Sequence, residues 1–212
     1  MSDIPPQNWK QQQRTRLREL RQQIPAAQHL FWSEAITTAL TQGFPVLEDH
    51  KIGFYWPYQG EYDPVPAMTS LKARGATLAL PEVTGKGEPL RFVEWWPGVP
   101  MKKDIYGIPF PDSTREVAVT SLVIPLLGFD EQGYRLGYGS GYFDRTLAAM
   151  NPRPLTIGVA FEILRLSTIY PQQHDIPMDY VVTEQSILCR TDAGLAPMTI
   201  ADCAARNRIV RD

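Results

Sequence analysis

"VTSLVIPLLGFDEQGYRLGYGSGYFDR" runs from Val119 to Arg145. Its first nine residues are almost wholly apolar. A short, continuous apolar run bounded by turn residues suits a strand covered on both faces, as in a parallel sheet. "GFDEQGYRL" then predicts a turn at Gly133. Gly137, Gly139 and Gly141 follow at every second position. A helix from about Tyr142 to Met150 comes next. Strand, glycine turn and helix in that order are the repeating grammar of an α/β sheet.

The rest of the chain keeps the same alternation. Upstream, residues 8–22 carry Leu17 and Leu20 among many Gln and Arg, which predicts a polar helix with a thin apolar stripe. Pro25 can open a second helix, and Gly43 can end it. "KIGFYW" (51–56) predicts a strand, Pro64 to Arg74 a helix stopped by Gly75, and "TLALPEV" and "LRFVEWW" two further strands. A loop rich in Pro and Gly spans about 97–116. Downstream, "LTIGVAF" is a buried strand, 162–168 a short helix, and "DYVVTE" and "SILCR" close the sheet. The expected fold is α/β, with a mostly parallel central sheet flanked by helices on both faces in three layers. Residues 1–190 make one domain with a basic N-terminal helix. Residues 191–212 form a tail, with a short helix near 199–206. Ligands in such sheets gather at the carboxyl ends of the strands, and 125–145 lies at one of those ends.

Composition narrows the function. Of 212 residues, 43% are hydrophobic and 21% charged, ordinary values for a globular domain. A formal charge of −2 gives no general case for nucleic acid or an anionic membrane. No apolar run approaches the roughly 18–20 residues needed to span a bilayer. The first residues are polar, which does not indicate export. Cys189 and Cys203 fit a reducing compartment, and His29, His50 and His174 show no metal-ligand spacing. A cytoplasmic protein is the expectation.

Glycines permit positive φ and close approach of a ligand to the backbone. Successive amides in such a turn can form an anion nest, and the helix that follows adds its positive end. Arg135 supplies a full charge beside them. A phosphate group is the natural guest, and Asp144 in the first helical turn could hold Mg²⁺ on it. The same residues would also make a tight structural turn with Asp144 opening the helix. The stretch lacks the GKS or GKT of a Walker A loop, and it is not GxGxxG.

The pattern in 125–145 resembles the signature of the 5-formyltetrahydrofolate cyclo-ligase family: a buried apolar strand, FD, a Gly turn, R-hydrophobic-G-x-G-x-G, two aromatics and Asp. The resemblance extends over about residues 10–190. The family opens with a basic helix carrying a Lys-x-x-x-Arg pair. Lys10 with Arg14 matches that spacing and is preferred; Arg14 with Arg18 shares it. Positions four apart lie on one helix face. "YWPYQGEYDP" places Glu61 where the family has a folate-holding acid, with Tyr55, Trp56 and Tyr58 nearby. "YGIPFP" places Tyr106 on the folate side. "HDIPMDYVVTE" carries over to Asp175, near the metal of ATP, whereas Asp179 starts a strand. Ser140 stands where the family usually has Lys or Gly, and Phe143 where Tyr is common. The Trp-rich stretch 85–104 matches nothing familiar.

The resemblance implies an enzyme that converts 5-formyltetrahydrofolate, with ATP and Mg²⁺, to 5,10-methenyltetrahydrofolate, ADP and phosphate. It implies ATP contacts from Lys10, Arg14, Arg135, Gly137, Tyr138, Gly139, Ser140, Gly141, Tyr142 and Asp144. Folate falls to Glu61, Tyr106 and Tyr142, and the metal to Asp144 and Asp175. Arg135 and Tyr142 are the expected catalytic residues. The partners are small molecules, without nucleic acid or membrane, and the expected state is a monomer. Two other readings stay open: a relative acting on another small formyl or carboxyl compound, and a non-catalytic binder of folate or nucleotide.

Overall fold

The computed structural model describes residues 8–208. Helices α1 (Trp9–Gln22) and α2 (Ala26–Gly43) precede strand β1 (Lys51–Gly53), helix α3 (Val65–Ala73), and strands β2 (Thr77–Glu82) and β3 (Arg91–Trp95). Short strands β4 (Met101–Lys103) and β5 (Pro109–Pro111) follow, then β6 (Ser121–Pro125), β7 (Gly128–Asp130) and β8 (Arg135–Leu136). Helix α4 (Tyr142–Ala149) leads to β9 (Leu155–Val159), β10 (Arg165–Leu166), β11 (Tyr180–Val182), β12 (Ile187–Thr191), β13 (Gly194–Met198) and helix α5 (Ile200–Arg206).

The apolar run forms β6 at the middle of an eight-stranded sheet, ordered β13-β12-β11-β9-β6-β1-β2-β3. It pairs in parallel with β9 on one side and β1 on the other. The five strands β2, β1, β6, β9 and β11 are parallel; β3 at one edge and β12 next to β11 run against them, and β13 outside β12 turns back to their direction. Alternate residues feed opposite faces. Val123, Ile157 and Val182 pack with Ile36, Leu40, Met68 and Leu71 of α2 and α3. Leu122, Ile124 and Val181 pack with Leu147 of α4. The three expected layers are therefore present.

Ranked by chain order, the parallel strands run 2-1-3-4-5. The winding reverses between β1 and β6, and a crevice opens there at the carboxyl ends of the strands. This reversal positions the site.

Several local expectations change. The strand at 51–56 stops at Gly53. The loop at 97–116 contains the β4–β5 hairpin. The helix expected over 162–168 is a 3-10 turn, Glu162–Leu164, followed by β10, because Arg165 and Leu166 find a parallel partner in Phe129 and Asp130. Such a ladder depends on residues far away in the chain, which local periodicity cannot register.

The 190/191 boundary is also corrected. It falls inside β12, and residues 194–198 add β13 to the sheet. Helix α5 occurs where the sequence predicts one. Thr199 caps it by accepting from the Asp202 amide at 3.0 Å, and Cys203 is fully buried against α2. Residues 194–206 are therefore part of the domain rather than a tail. Among the described residues, no helix is long and apolar enough to cross a membrane.

Candidate functional site

The crevice is a cleft of about 560 Å³. Tyr55 and Trp56 just past β1, Pro81 and Val83 at the end of β2, and Pro125 at the end of β6 form its apolar floor. The glycine turn between β8 and α4 forms one wall. Gly139 and Gly141 have φ of +103° and +66°, which an L side chain rarely adopts. A Cβ at Gly137 would meet nothing within 4 Å, so the backbone there is open to a guest. Gly141 caps α4 with no side chain on its amides. The first amides of a helix have no intrahelical partner, so they remain available to an anion. Arg145 is not aimed at that guest: it donates to the Ser140 carbonyl at 2.7 Å and stacks on Tyr142.

The helical spacing of α1 brings Lys10 and Arg14 to the opposite wall. Arg14 Nε donates to the Gly137 carbonyl at 2.9 Å, joining helix and turn. Burial lowers the Arg14 pKa, and Asp175 opposes that shift. One turn farther on, Arg18 lies 5.9 Å from the centre of the Tyr138 ring and away from the cleft lining. The helix thus presents Lys10 with Arg14, not Arg14 with Arg18.

Arg135 is 7% exposed. Its Nη1 donates to the Ile176 carbonyl at 2.7 Å, and its Nη2 lies 2.5 Å from Asp144 Oδ1. Burial lowers the guanidinium pKa, while Asp144 pulls it back up. Asp175 receives Lys10 Nζ at 3.2 Å and the Gln172 amide at 2.7 Å. Both carboxylates expected to hold a metal are therefore paired with a cation. Among the described residues, no group of three His, Cys, Asp or Glu could hold a metal by itself. The donor set still fits Mg²⁺. Both carboxylates line one cleft, and Asp144 Oδ1 accepts the amide of Ile176, next to Asp175, at 3.2 Å. Mg²⁺ commonly takes one or two carboxylates and fills its other positions with phosphate oxygens and water.

Glu61 and Tyr138 both line the cleft and share one buried network. Glu61 is 7% exposed, and its rim of the cleft is a buried network. The Tyr138 hydroxyl points to the other side of the cleft and donates to Glu61 Oε1. The Tyr58 amide donates to Oε2 at 3.0 Å. Arg21 is 2% exposed and donates to the Tyr138 hydroxyl at 2.7 Å. Burial raises the Glu61 pKa; Tyr138, Arg21 and Tyr58 each pull it down. Sequence reasoning misses Arg21. It follows Arg14, Arg16 and Arg18 in the same polar helix, and its one local mark is its place four residues after Leu17, on the apolar stripe.

The tip of the β4–β5 hairpin reaches the mouth of the cleft. Asp104 Oδ1 accepts the amides of Tyr106 and Ile108 at 2.8 and 2.9 Å, which shapes the tip. Tyr106 and Tyr142 then share a hydroxyl hydrogen bond of 3.0 Å across the opening. From the unfamiliar stretch 85–104, Leu90 and Asp104 line the cleft.

The cleft therefore has a cationic, amide-rich end and an apolar aromatic end, with one acid between aromatics. It can hold a polyanion beside a flat ring that carries hydrogen-bond donors.

Comparison with known proteins agrees with this geometry. The model of the 5-formyltetrahydrofolate cyclo-ligase family matches residues 6–184. A Haemophilus influenzae protein named 5-formyltetrahydrofolate cyclo-ligase is 27% identical over 176 residues, covering 80% of this chain and 94% of the relative. Its Escherichia coli K12 namesake is 28% identical over 170 residues, covering 77% and 93%. The solution structure of Aquifex aeolicus 5,10-methenyltetrahydrofolate synthetase superposes with a TM-score of 0.74 at 27% identity, covering 90% of this chain and 96% of that one. A Mycoplasma pneumoniae 5,10-methenyltetrahydrofolate synthetase shares the fold, with a TM-score of 0.69 at 20% identity, covering 83% and 99%.

Proposed function

The chain belongs to the 5-formyltetrahydrofolate cyclo-ligase family of ATP-dependent ligases, and from that premise we propose which residues perform the cyclisation. The substrate is 5-formyltetrahydrofolate, and the products are 5,10-methenyltetrahydrofolate, ADP and phosphate. A formamide oxygen is a poor leaving group. Transfer of the γ-phosphoryl group from ATP to that oxygen makes it a good one. The neighbouring folate amine attacks the formyl carbon, the five-membered ring closes, and the phosphorylated oxygen departs as phosphate. No side-chain nucleophile is required, so the protein's work is alignment and charge stabilisation.

The observation that carries this reading is the meeting, in one cleft, of the glycine turn and the aromatic floor. The amides of Gly137, Gly139, Ser140 and Gly141, and those opening α4 at Tyr142, cradle the phosphates. Lys10, Arg14 and Arg135 neutralise them. Arg135 is buried and held by the Ile176 carbonyl, so its charge stays in place as the phosphoryl group moves. Tyr138 supports the same turn from behind. Glu61 accepts from the donor edge of the pterin, and Tyr106 and Tyr142 close over it. Asp144 and Asp175 would hold Mg²⁺. The ion would neutralise phosphate charge, with Lys10 and Arg135 giving up part of their present pairing. The acting unit is taken to be a monomer. Use of ATP and a reduced folate supports a cytoplasmic setting.

The test is a direct assay with Mg-ATP and 5-formyltetrahydrofolate. The expected result is growth of the conjugated methenyl absorbance with one ADP formed per ring closed. ADP release without methenyl product would point to another formyl or carboxyl substrate. Folate or nucleotide binding without ADP would indicate a binding protein.

A further inference from the structure

Two separate segments converge on Arg21 of α1. Its Nη2 donates to the Tyr138 hydroxyl at 2.7 Å and approaches the Tyr58 carbonyl at 3.4 Å. Its Nε donates to the Gln59 carbonyl at 3.1 Å, and its Nη1 is 3.7 Å from Glu61 Oε1. Gln59 and Gly60 both have positive φ, and the Glu61 amide closes the turn on the Tyr58 carbonyl at 3.1 Å. The turn is an awkward one for Gln59, and the guanidinium grips two of its carbonyls. Tyr138 belongs to the glycine turn, so one buried cation ties helix α1, the 58–61 turn and the phosphate wall together.

We propose that Arg21 is a positioning residue for the folate end of the cleft: it fixes the direction and the charge of Glu61, in part through the Tyr138 hydroxyl, which accepts from Arg21 and donates to Glu61. This rests on the assignment of Glu61 to the folate. The groups facing the Glu61 carboxyl or its turn are Arg21 from α1, Tyr138 from the glycine turn, Tyr55 just past β1, Tyr62 beside it, and His29 of α2 on its backbone carbonyl. Arg21 is the only cation among these that contacts the carboxylate. An opposite charge nearby favours the ionised form of an acid, and burial favours the neutral one. Without Arg21, Glu61 would take up a proton more readily and lose its aim.

The test compares Arg21→Met and Arg21→Lys with the wild type. For Arg21→Met, the KM for 5-formyltetrahydrofolate should rise at least about tenfold while the KM for ATP moves less than about twofold. The acid limb of kcat/KM for the folate should move to higher pH. Arg21→Lys keeps the charge but not the forked donors, so it should restore the pH limb and leave part of the KM defect. A lower melting temperature with folate KM and pH limb unchanged would reduce Arg21 to a structural residue and overturn the proposal.

Should Arg21→Met fold poorly, the Glu61→Gln background keeps the question open to test. A neutral Gln needs no counter-charge, so adding Arg21→Met there should cost little more folate affinity than Glu61→Gln alone. Additive losses would overturn the proposal. Protein carrying ¹³C at its Glu carboxyl carbons gives a readout free of turnover: the Glu61 titration should move to higher pH in Arg21→Met. Failure of the wild type to turn over folate would instead count against the proposed function, with the Glu61 titration still readable.

Discussion

Replacing Asp144 with Asn should reduce stability as well as turnover. The two effects can be separated because the partner of Asp144 is so deeply buried. Arg135 and Asp144 side chains are 5% and 22% exposed, with 2.5 Å between Nη2 and Oδ1. Removing one partner of a buried ion pair costs about 3–5 kcal/mol, mostly because the other charge is stranded. The cost here is smaller. Asn keeps an acceptor for the Ile176 amide, Asp144 is partly wet, and Arg135 retains the Ile176 carbonyl and the field of Asp175. About 2 kcal/mol is a fair figure, which lowers the melting temperature of a domain of this size by about 4–8 °C. The decisive comparison is with the double variant Arg135→Met, Asp144→Asn. It strands no charge, so it should recover at least half of the lost stability while turnover falls further. Differential scanning calorimetry without ligands, alongside the methenyl assay, measures both. If Asp144→Asn melts within about 1 °C of wild type, or the double variant loses the sum of the two single losses, the pair is not the buried brace described above.

Gly137 and Gly141 should respond oppositely to alanine. Gly137→Ala meets open space, so melting should hardly move, while the KM for ATP rises because a methyl group enters the phosphate side; Gly141→Ala at φ +66°, with Arg145 Nη1 2.9 Å from the new carbon, should cost about 1–2 kcal/mol in urea unfolding. Mg²⁺ titrated into the free protein should give no calorimetric signal at micromolar concentration, since Lys10 and Arg135 occupy the two carboxylates proposed for it, whereas the same titration with a non-hydrolysable ATP analogue present should; strong binding to the free protein would contradict the pairing. Burial outweighs Arg21 and Tyr138 and raises the Glu61 pKa above its unfolded value, so folding takes up a proton and stability falls as pH rises between those two values. Glu61→Gln should make the slope of unfolding free energy against pH less negative in that window, and an unchanged slope would show that Glu61 is not raised.

The stretch that reads most clearly in the sequence is local. An almost wholly apolar run of nine residues predicts β6, and three alternating glycines predict the turn, because each follows from residues adjacent in the chain. The spacing of Lys10 and Arg14 is equally legible, since a helix converts four positions into one face. What resists reading depends on distant partners. The helix face of Arg21 follows from Leu17 four residues earlier, but its partner Tyr138 is 117 positions away. The phosphate-side reading of Tyr138 does not anticipate where its hydroxyl points, because a period of two places a residue on a wall without choosing its partner. In sequence, Asp144 and Asp175 look like carboxylates waiting for a metal. Their cations, Arg135 and Lys10, come from a strand and a helix that local pattern cannot bring together.

Strand β13 contains Pro197, paired opposite Leu188 of β12. Proline lacks an amide donor and discourages another chain from docking. Beneath it, β12 begins with Ile187, Leu188 and Cys189, all buried. A polypeptide released at residue 190 would bare that greasy row as a sticky rim, inviting self-assembly into sheets. Shortened recombinant versions should therefore be recovered as aggregates even though every residue of the proposed catalytic cleft would still be present.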